Sequence, residues 1–249
     1  MNAIRLTSDL HFNHPFIAKL RGFTKLDIND NVVGDADAHD EVIIGNFNTG
    51  VRPGDITIIA GDFAMNWKGV ERQLSRLRGR LILVEGNHDI MSSIHKDGWK
   101  HRAAWTGPGK FEAVVAYMRR KTKNAEYLIS HYPYTGDHSK ADRHTQFRLR
   151  DEGMWLLHGH THSKDKLTPL PSVDCFFCGA DMTKEACEDQ YKGTDLEGQG
   201  CARLVSKQVH VGLDAWDLKP VQERDVIDLM KALDREREGS KDELRDRGA

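Results

Sequence analysis

Short apolar runs at residues 3–6, 56–60, 81–84, 127–129 and 155–157 punctuate an otherwise polar chain. Each is rich in branched or aromatic residues and is followed closely by Asp, Asn or His, a pattern that predicts buried β-strands. Between them the period changes. Residues 16–20 predict a short helix after the turn at His14-Pro15. Val42, Ile43 and Phe47 share one face of a helix over 38–47, and Val70, Leu74 and Leu77 share another. Residues 24–37, rich in Asp, Asn and Gly, read as a loop. Residues 111–118 and 126–129 read as a strand pair turning at 121–124, with 92–110 and 133–151 as loops. Near the end, Val226, Ile227, Met230 and Leu233 fall on one helical face, whereas 236–249 is charged and nearly free of apolar residues, so a frayed or disordered tail is expected. The alternation of strands and helices predicts an α/β fold.

The five strands lead into Asp9-Leu10-His11, Gly61-Asp62, Gly86-Asn87-His88-Asp89, His131 and Gly159-His160-Thr161-His162. Polar groups beyond the carboxyl ends of sheet strands sit in the crevice where open sheets bind ligands. Asp9, His11, Asp62, Asn87, His131, His160 and His162 are therefore expected in one place. Carboxylate oxygens and imidazole nitrogens suit divalent first-row metals. The set exceeds the needs of one tetrahedral ion and fits two ions sharing a bridging carboxylate, at the roughly 3.5–4 Å separation of two-metal hydrolases. With only two Asp among these ligands, such a pair stays cationic, attracts phosphate and acidifies a bound water.

These motifs, in this order, resemble the calcineurin-like metallophosphoesterase family. The resemblance spans residues 7–162 and extends to Gly212-Leu213-Asp214-Ala215-Trp216 near the end. Asp9-Leu10-His11-Phe12-Asn13-His14 resembles a compact bacterial and phage branch, which usually has Gly where Asn13 stands. The resemblance implies a four-layer α/β/β/α sandwich. It also implies Asp9, His11 and His162 on one metal, Asn87, His131 and His160 on a second, and Asp62 as the bridge. His88 would be a non-ligand histidine facing the leaving group, with Asp89 orienting it and the Asn87 amide helping to stabilise the transition state.

The rest of the chain bounds this picture. Its 249 residues form one domain over 1–220, followed by a helix and tail over 221–249. A net charge of −2 gives no basic footprint for coating nucleic acid. The N-terminus shows no secretory leader and no apolar stretch is long enough to span a bilayer, so a cytoplasmic protein is expected (host cytoplasm, if a phage carries the gene). Arg21, Arg143 and Arg148 are candidate phosphate contacts, their alternative being solvated or ion-paired side chains. All four cysteines, Cys175, Cys178, Cys187 and Cys201, lie in residues 163–208, which read as an insert before the final strand. Cys175-Phe-Phe-Cys178-Gly179 has zinc-knuckle spacing, so a structural zinc stands beside free thiols or a disulfide as the readings of this segment.

The expected activity is hydrolysis of a small phosphodiester, such as a cyclic nucleotide with the 2′,3′-cyclic form favoured, using two divalent ions of Mn, Fe or Zn. A nuclease or RNA-end-processing phosphoesterase is one alternative. A non-catalytic scaffold of the same fold is another, though scaffolds of this kind usually lack several ligands.

Overall fold

The structure is a computed structural model that describes residues 2–137, 143–169 and 205–247. Strands β1 (Ile4–Thr7), β4 (Ile56–Ile59), β5 (Arg80–Val84) and β6 (Ala113–Val115) run parallel, and β12 (Val221–Gln222) joins the β1 edge antiparallel. A second sheet has the order β10 (Leu167–Pro169), β11 (Val205–His210), β9 (Trp155–His158), β8 (Glu126–Ile129) and β7 (Met118–Lys121). Within it β8, β9 and β11 are parallel. This mixed α/β architecture matches the expected class, and all five predicted strands are present.

Alternation along the strands sorts the core into two layers. Ile59, Leu81 and Leu83 pack against Ile43, Ile44 and Phe47 of α2 (Ala36–Gly50) and Val70 and Leu74 of α3 (Trp67–Leu74). Their neighbours Ile58 and Val84, with Leu6, face the other way and meet Tyr127, Ile129, Trp155, Leu157 and Val209 of the second sheet. One sheet is thus buried on both faces, which is why its strands read as unbroken apolar runs rather than alternating ones. Because β1, β4 and β5 are parallel and in register, with Thr7 beside Ile59 and Ile59 beside Leu83, their carboxyl ends finish at one edge.

Several expectations change. Residues 24–37 hold a hairpin, β2 (Thr24–Leu26) and β3 (Val32–Gly34), and the start of α2. The polar stretch is the hairpin tip, where Asp27 Oδ1 accepts from the Asn29 and Asn31 amides at 2.8 and 2.9 Å. Residues 111–118 are not one strand: β6 pairs with β5 in the first sheet, and β7 pairs with β8 in the second, so the chain crosses between sheets at Ala116-Tyr117. The loop 92–110 contains a helical turn, Gly98–His101, and α4 (Arg102–Trp105). The backbone of α5 runs from Glu223 to Arg247, through the segment expected to fray. Its Glu, Lys, Arg and Leu residues are good helix formers, and Val226, Ile227 and Met230 anchor its start in the core. The segment 163–208 begins and ends in sheet strands β10 and β11. Cys175, Cys178, Cys187 and Cys201 lie outside the described residues. Among the described residues no helix is long and apolar enough to cross a membrane.

Phe47 is fully buried between α2 and the first sheet. Phe47→Ala is expected to cost about 3–5 kcal/mol of unfolding free energy, whereas Val42→Ala, on the exposed side of the same helix, should change it by less than about 0.5 kcal/mol. Urea denaturation of both variants checks the assignment of the buried face.

Candidate metal centre

Each strand of the shared edge ends in a sharp turn that folds a polar side chain back over the sheet. Asp9, His11, Asp62, His160 and His162 all have left-handed backbone, with φ of 56°, 49°, 53°, 70° and 50°. Asp and His are among the non-glycine types that enter this region most readily. The glycines beside them are required by close approach. A Cβ on Gly61 would strike the His131 ring, one on Gly86 the Asp62 carboxylate, and one on Gly159 the Ser8 hydroxyl. Backbone bonds tie the turns together: Asp9 and His11 donate to the carbonyls of Gly61 and Asp62, each at 3.0 Å.

The side chains converge. Ligand atoms of Asp9, His11 and His162 lie within 4.8 Å of one another, as do those of Asp9, Asp62 and His131. Asp62 Oδ2 is 3.6 Å from His11 Nε2 and 3.5 Å from His131 Nε2, so one carboxylate reaches both sides of the cluster. Asn87 Oδ1 lies 3.0 Å from His131 Nε2 and 2.9 Å from His160 Nδ1. All seven residues expected to gather do so.

The outer atoms of the rings decide what the inner atoms offer. His131 Nδ1 sits 2.9 Å from the Ala60 carbonyl, which can only accept, so the proton belongs on Nδ1. In the neutral ring Nε2 then carries a lone pair, aimed at Asn87 Oδ1 and Asp62 Oδ2. His162 Nδ1 faces Asp214 at 3.1 Å, and its Nε2 lies 3.1 Å from His11 Nε2. His160 Nε2 faces Asp137 at 3.4 Å while its Nδ1 faces Asn87. Outer N–H groups held by carbonyl or carboxylate, with inner lone pairs converging, is the arrangement that orients metal-bound histidines. A shared cation would satisfy His131 Nε2, Asn87 Oδ1 and Asp62 Oδ2 at once, so these buried Asp/His groups can hold a metal ion.

Charge in the cluster points the same way. Burial pushes the Asp62 carboxyl up, His131 pulls against that, and the nearby Asp9 charge adds to the rise. Burial, then the Asp62 charge, push Asp89 up to about 6. Burial also holds His11 well below the ordinary imidazole value, with His162 and Arg21 adding to the effect. Burial thus disfavours the charged forms of Asp62, Asp89 and His11, while against the same burial Asp214 and Asp9 raise His162.

Two expectations about individual residues are corrected. Asp89 does not hold His88: its carboxylate accepts from the amides of Asp62, Phe63 and Gly86 at 3.0, 2.9 and 2.8 Å, pinning two ligand turns together. Arg21 takes the ion-paired alternative. Its side chain is 4% exposed and grips both oxygens of Asp214 at 2.9 and 2.8 Å, while also donating to the Asp9 carbonyl and to His39. Burial opposes ionisation of Asp214, but Arg21 and His162 hold it well below the usual carboxylate range. Arg143 and Arg148 gather around Asp137, 3.0 and 3.9 Å from its oxygens, beside His160. Asp214 and Asp137 were not assigned roles from sequence. Asp214 carried a signal, a lone Asp after a buried strand; Asp137 sits in a loop with none.

Asp62→Ala should lower the bound-metal content more than Asn87→Ala does, because the Asp62 carboxylate reaches both sides of the cluster. Metal content of the purified variants checks this, and full occupancy in Asp62→Ala would reject a bridging role. Asp214→Asn should weaken metal binding roughly 10–100-fold, measured by competition with a chelator; unchanged affinity would show that the Arg21–Asp214 pair serves the fold alone.

No family model matches the chain. It is 30% identical over 233 residues to the Gene 66 protein of Mycobacterium phage D29, covering 90% of this chain and 94% of that one. It is 28% identical over 239 residues to the Gene 66 protein of Mycobacterium phage L5, covering 92% and 95%. Among solved structures it resembles the protein of unknown function AQ665 from Aquifex aeolicus, with a TM-score of 0.53 and 22% identity, over 92% of this chain and all of that one. The last likeness concerns the fold, whereas the likeness in sequence extends over nearly the whole length: the chain belongs to the family of the mycobacteriophage Gene 66 proteins.

Proposed function

We propose that this protein is a two-metal phosphoesterase of the calcineurin-like metallophosphoesterase type, acting on small phosphodiesters such as cyclic nucleotides, the 2′,3′-cyclic form first among them. The observation that carries the reading is the shared carboxylate: Asp62 Oδ2 stands between His11 Nε2 and His131 Nε2, with Asp9 and His162 on one side and Asn87 and His160 on the other. Mixed nitrogen and oxygen donors suit Mn, Fe or Zn. Bound there, a pair of such ions supplies Lewis acidity and a water acidified towards neutral pH. The four-layer α/β/β/α sandwich belongs to the same proposal; a helical layer and two facing sheets support it.

The chain's own groups do the rest. His88 is the cluster's more open imidazole, with its side chain 37% exposed and its Nε2 4.0 Å from Asp62. Its backbone N–H donates to Asp62 Oδ1 at 2.8 Å, which fixes where the ring stands relative to the bridge. From there it meets the departing oxygen as a proton donor, a role worth roughly 10²–10⁴ in rate. The Asn87 amide holds its oxygen towards His131 and His160, leaving its N–H groups for a phosphoryl oxygen. Asp89 keeps the two turns in register through backbone bonds. A small substrate agrees with a net charge of −2, which provides no basic track for a nucleic-acid strand.

With Mn²⁺ supplied, the protein should hydrolyse activated diesters and cyclic nucleotides faster than the matching monoesters. His88→Ala should retain its metal and lose most activity on alkyl leaving groups, roughly 10²–10⁴-fold, and far less on an activated phenol, which departs without a proton. Equal losses on both leaving groups would reject the proton-donor role, and a metal-loaded wild type inert towards every ester would reject the phosphoesterase reading.

A further inference from the structure

One imidazole at the site has no place in the metal cluster. His14 lies with its ring centroid 5.2 Å from His11 and 5.8 Å from His88, edge to face with both. It stands over the His11 side of the cluster, beside the proposed proton donor, and is not among the residues whose atoms converge for a metal.

Its position is built rather than incidental. Asn13 takes left-handed backbone, φ 58°, which turns the chain back over His11. Asn fills this role where the resembling branch has Gly, because it too tolerates that conformation. The turn is fastened by the Asn13 amide donating to Asp40 at 3.0 Å and by its side chain donating to Asn66 at 3.1 Å. Asp40 is itself buried and held by Gln73 at 2.9 Å and by His39 at 3.1 Å.

The orientation of the ring follows from the helix it starts. His14 is the N-cap of α1 (Pro15–Leu20), and its Nδ1 accepts from the Ile17 amide at 3.4 Å. Accepting there requires a lone pair on Nδ1, so the ring proton sits on Nε2. Among the described residues no group accepts that Nε2–H. The structure therefore presents a fixed N–H donor beside His88, over a centre expected to draw phosphate.

We propose that His14 is a substrate-contacting residue whose Nε2–H donates to an oxygen of the bound phosphate ester on the leaving-group side, next to His88. The proposal rests on the phosphoesterase reading above. Fixed donors aimed at oxygens that gain charge stabilise the transition state without reorganising. His14 thereby adds a hydrogen bond where His88 delivers a proton.

The test uses the full-length, Mn²⁺-loaded protein and inorganic phosphate as the probe. Calorimetry gives phosphate affinity, and metal content is measured on the same samples. His14→Phe keeps a ring and loses the donor, and should weaken phosphate binding roughly 10–100-fold with metal retained. His14→Gln places an N–H near the Nε2 position and should recover much of the affinity; His14→Asn, a good N-cap too short to reach, should not. Wild-type affinity in His14→Phe, or in His14→Asn, would overturn the proposal by leaving only the capping role, as would metal lost in step with phosphate. Failure of the metal-loaded wild type itself to bind phosphate would instead overturn the phosphoesterase reading on which it rests.

Discussion

The structure depends on acceptor atoms being made to face one another. Asn87 Oδ1 and Asp62 Oδ2 lie 3.0 and 3.5 Å from the inner nitrogen of His131, Nε2, and His11 Nε2 is 3.6 Å from the same carboxylate. Left alone, buried like charges and opposed lone pairs repel. The fold holds them by spending backbone bonds on their surroundings: three amides on Asp89, two turn-to-turn bonds from Asp9 and His11, and a carbonyl on His131 Nδ1. A scaffold that rigid around an electron-rich hollow is organised for a cation. Burial first, and the neighbouring carboxylate charge after it, raise both Asp62 and Asp89.

Two mixed sheets with parallel central strands make the convergence possible. Parallel register brings the ends of β1, β4 and β5 to one edge, and the parallel β8 and β9 bring His131 and His160 to it from the facing sheet. The first sheet contributes both aspartates, His11 and Asn87; the second contributes three histidines. Packing between Leu6, Ile58 and Val84 on one side and Tyr127, Ile129 and Leu157 on the other therefore sets the distance between the two donor groups. A cavity in that layer would be felt at the site, because interiors transmit strain rather than absorb it.

Much of this was legible in the chain. An apolar run ending in Asp, His or Asn states both that a strand is buried and that its end is polar, so the strands and the seven converging residues could be read together. What could not be read were contacts made across long stretches of sequence. Arg21 looked like a phosphate contact because its partner, Asp214, lies 193 residues away. Asp89 looked like a partner for His88 because adjacency in sequence suggests it, yet its carboxylate turns inward to backbone amides. The hairpin at 24–34 was hidden because its tip is polar and its strands are three residues each, too short for alternation to show.

The two halves of the centre are supported differently, and this bears on how each would respond to change. His162 is fixed by a carboxylate that is itself clamped by a buried guanidinium, and that guanidinium also holds the Asp9 carbonyl and His39, which leads on to Asp40 and the Asn13 turn. One connected network thus orients His162, the backbone of Asp9 and the loop carrying His14. Across the site, His131 leans on a strand carbonyl and His160 on Asp137, beside Arg143 and Arg148. Disturbing Arg21 should therefore act on the Asp9, His11 and His162 side and on His14 together. The His131 side is tied mainly to the sheets themselves. The loop from Asp9 to His14 is in this sense a single part, carrying two candidate ligands and one candidate substrate contact on a chain segment fixed at both ends.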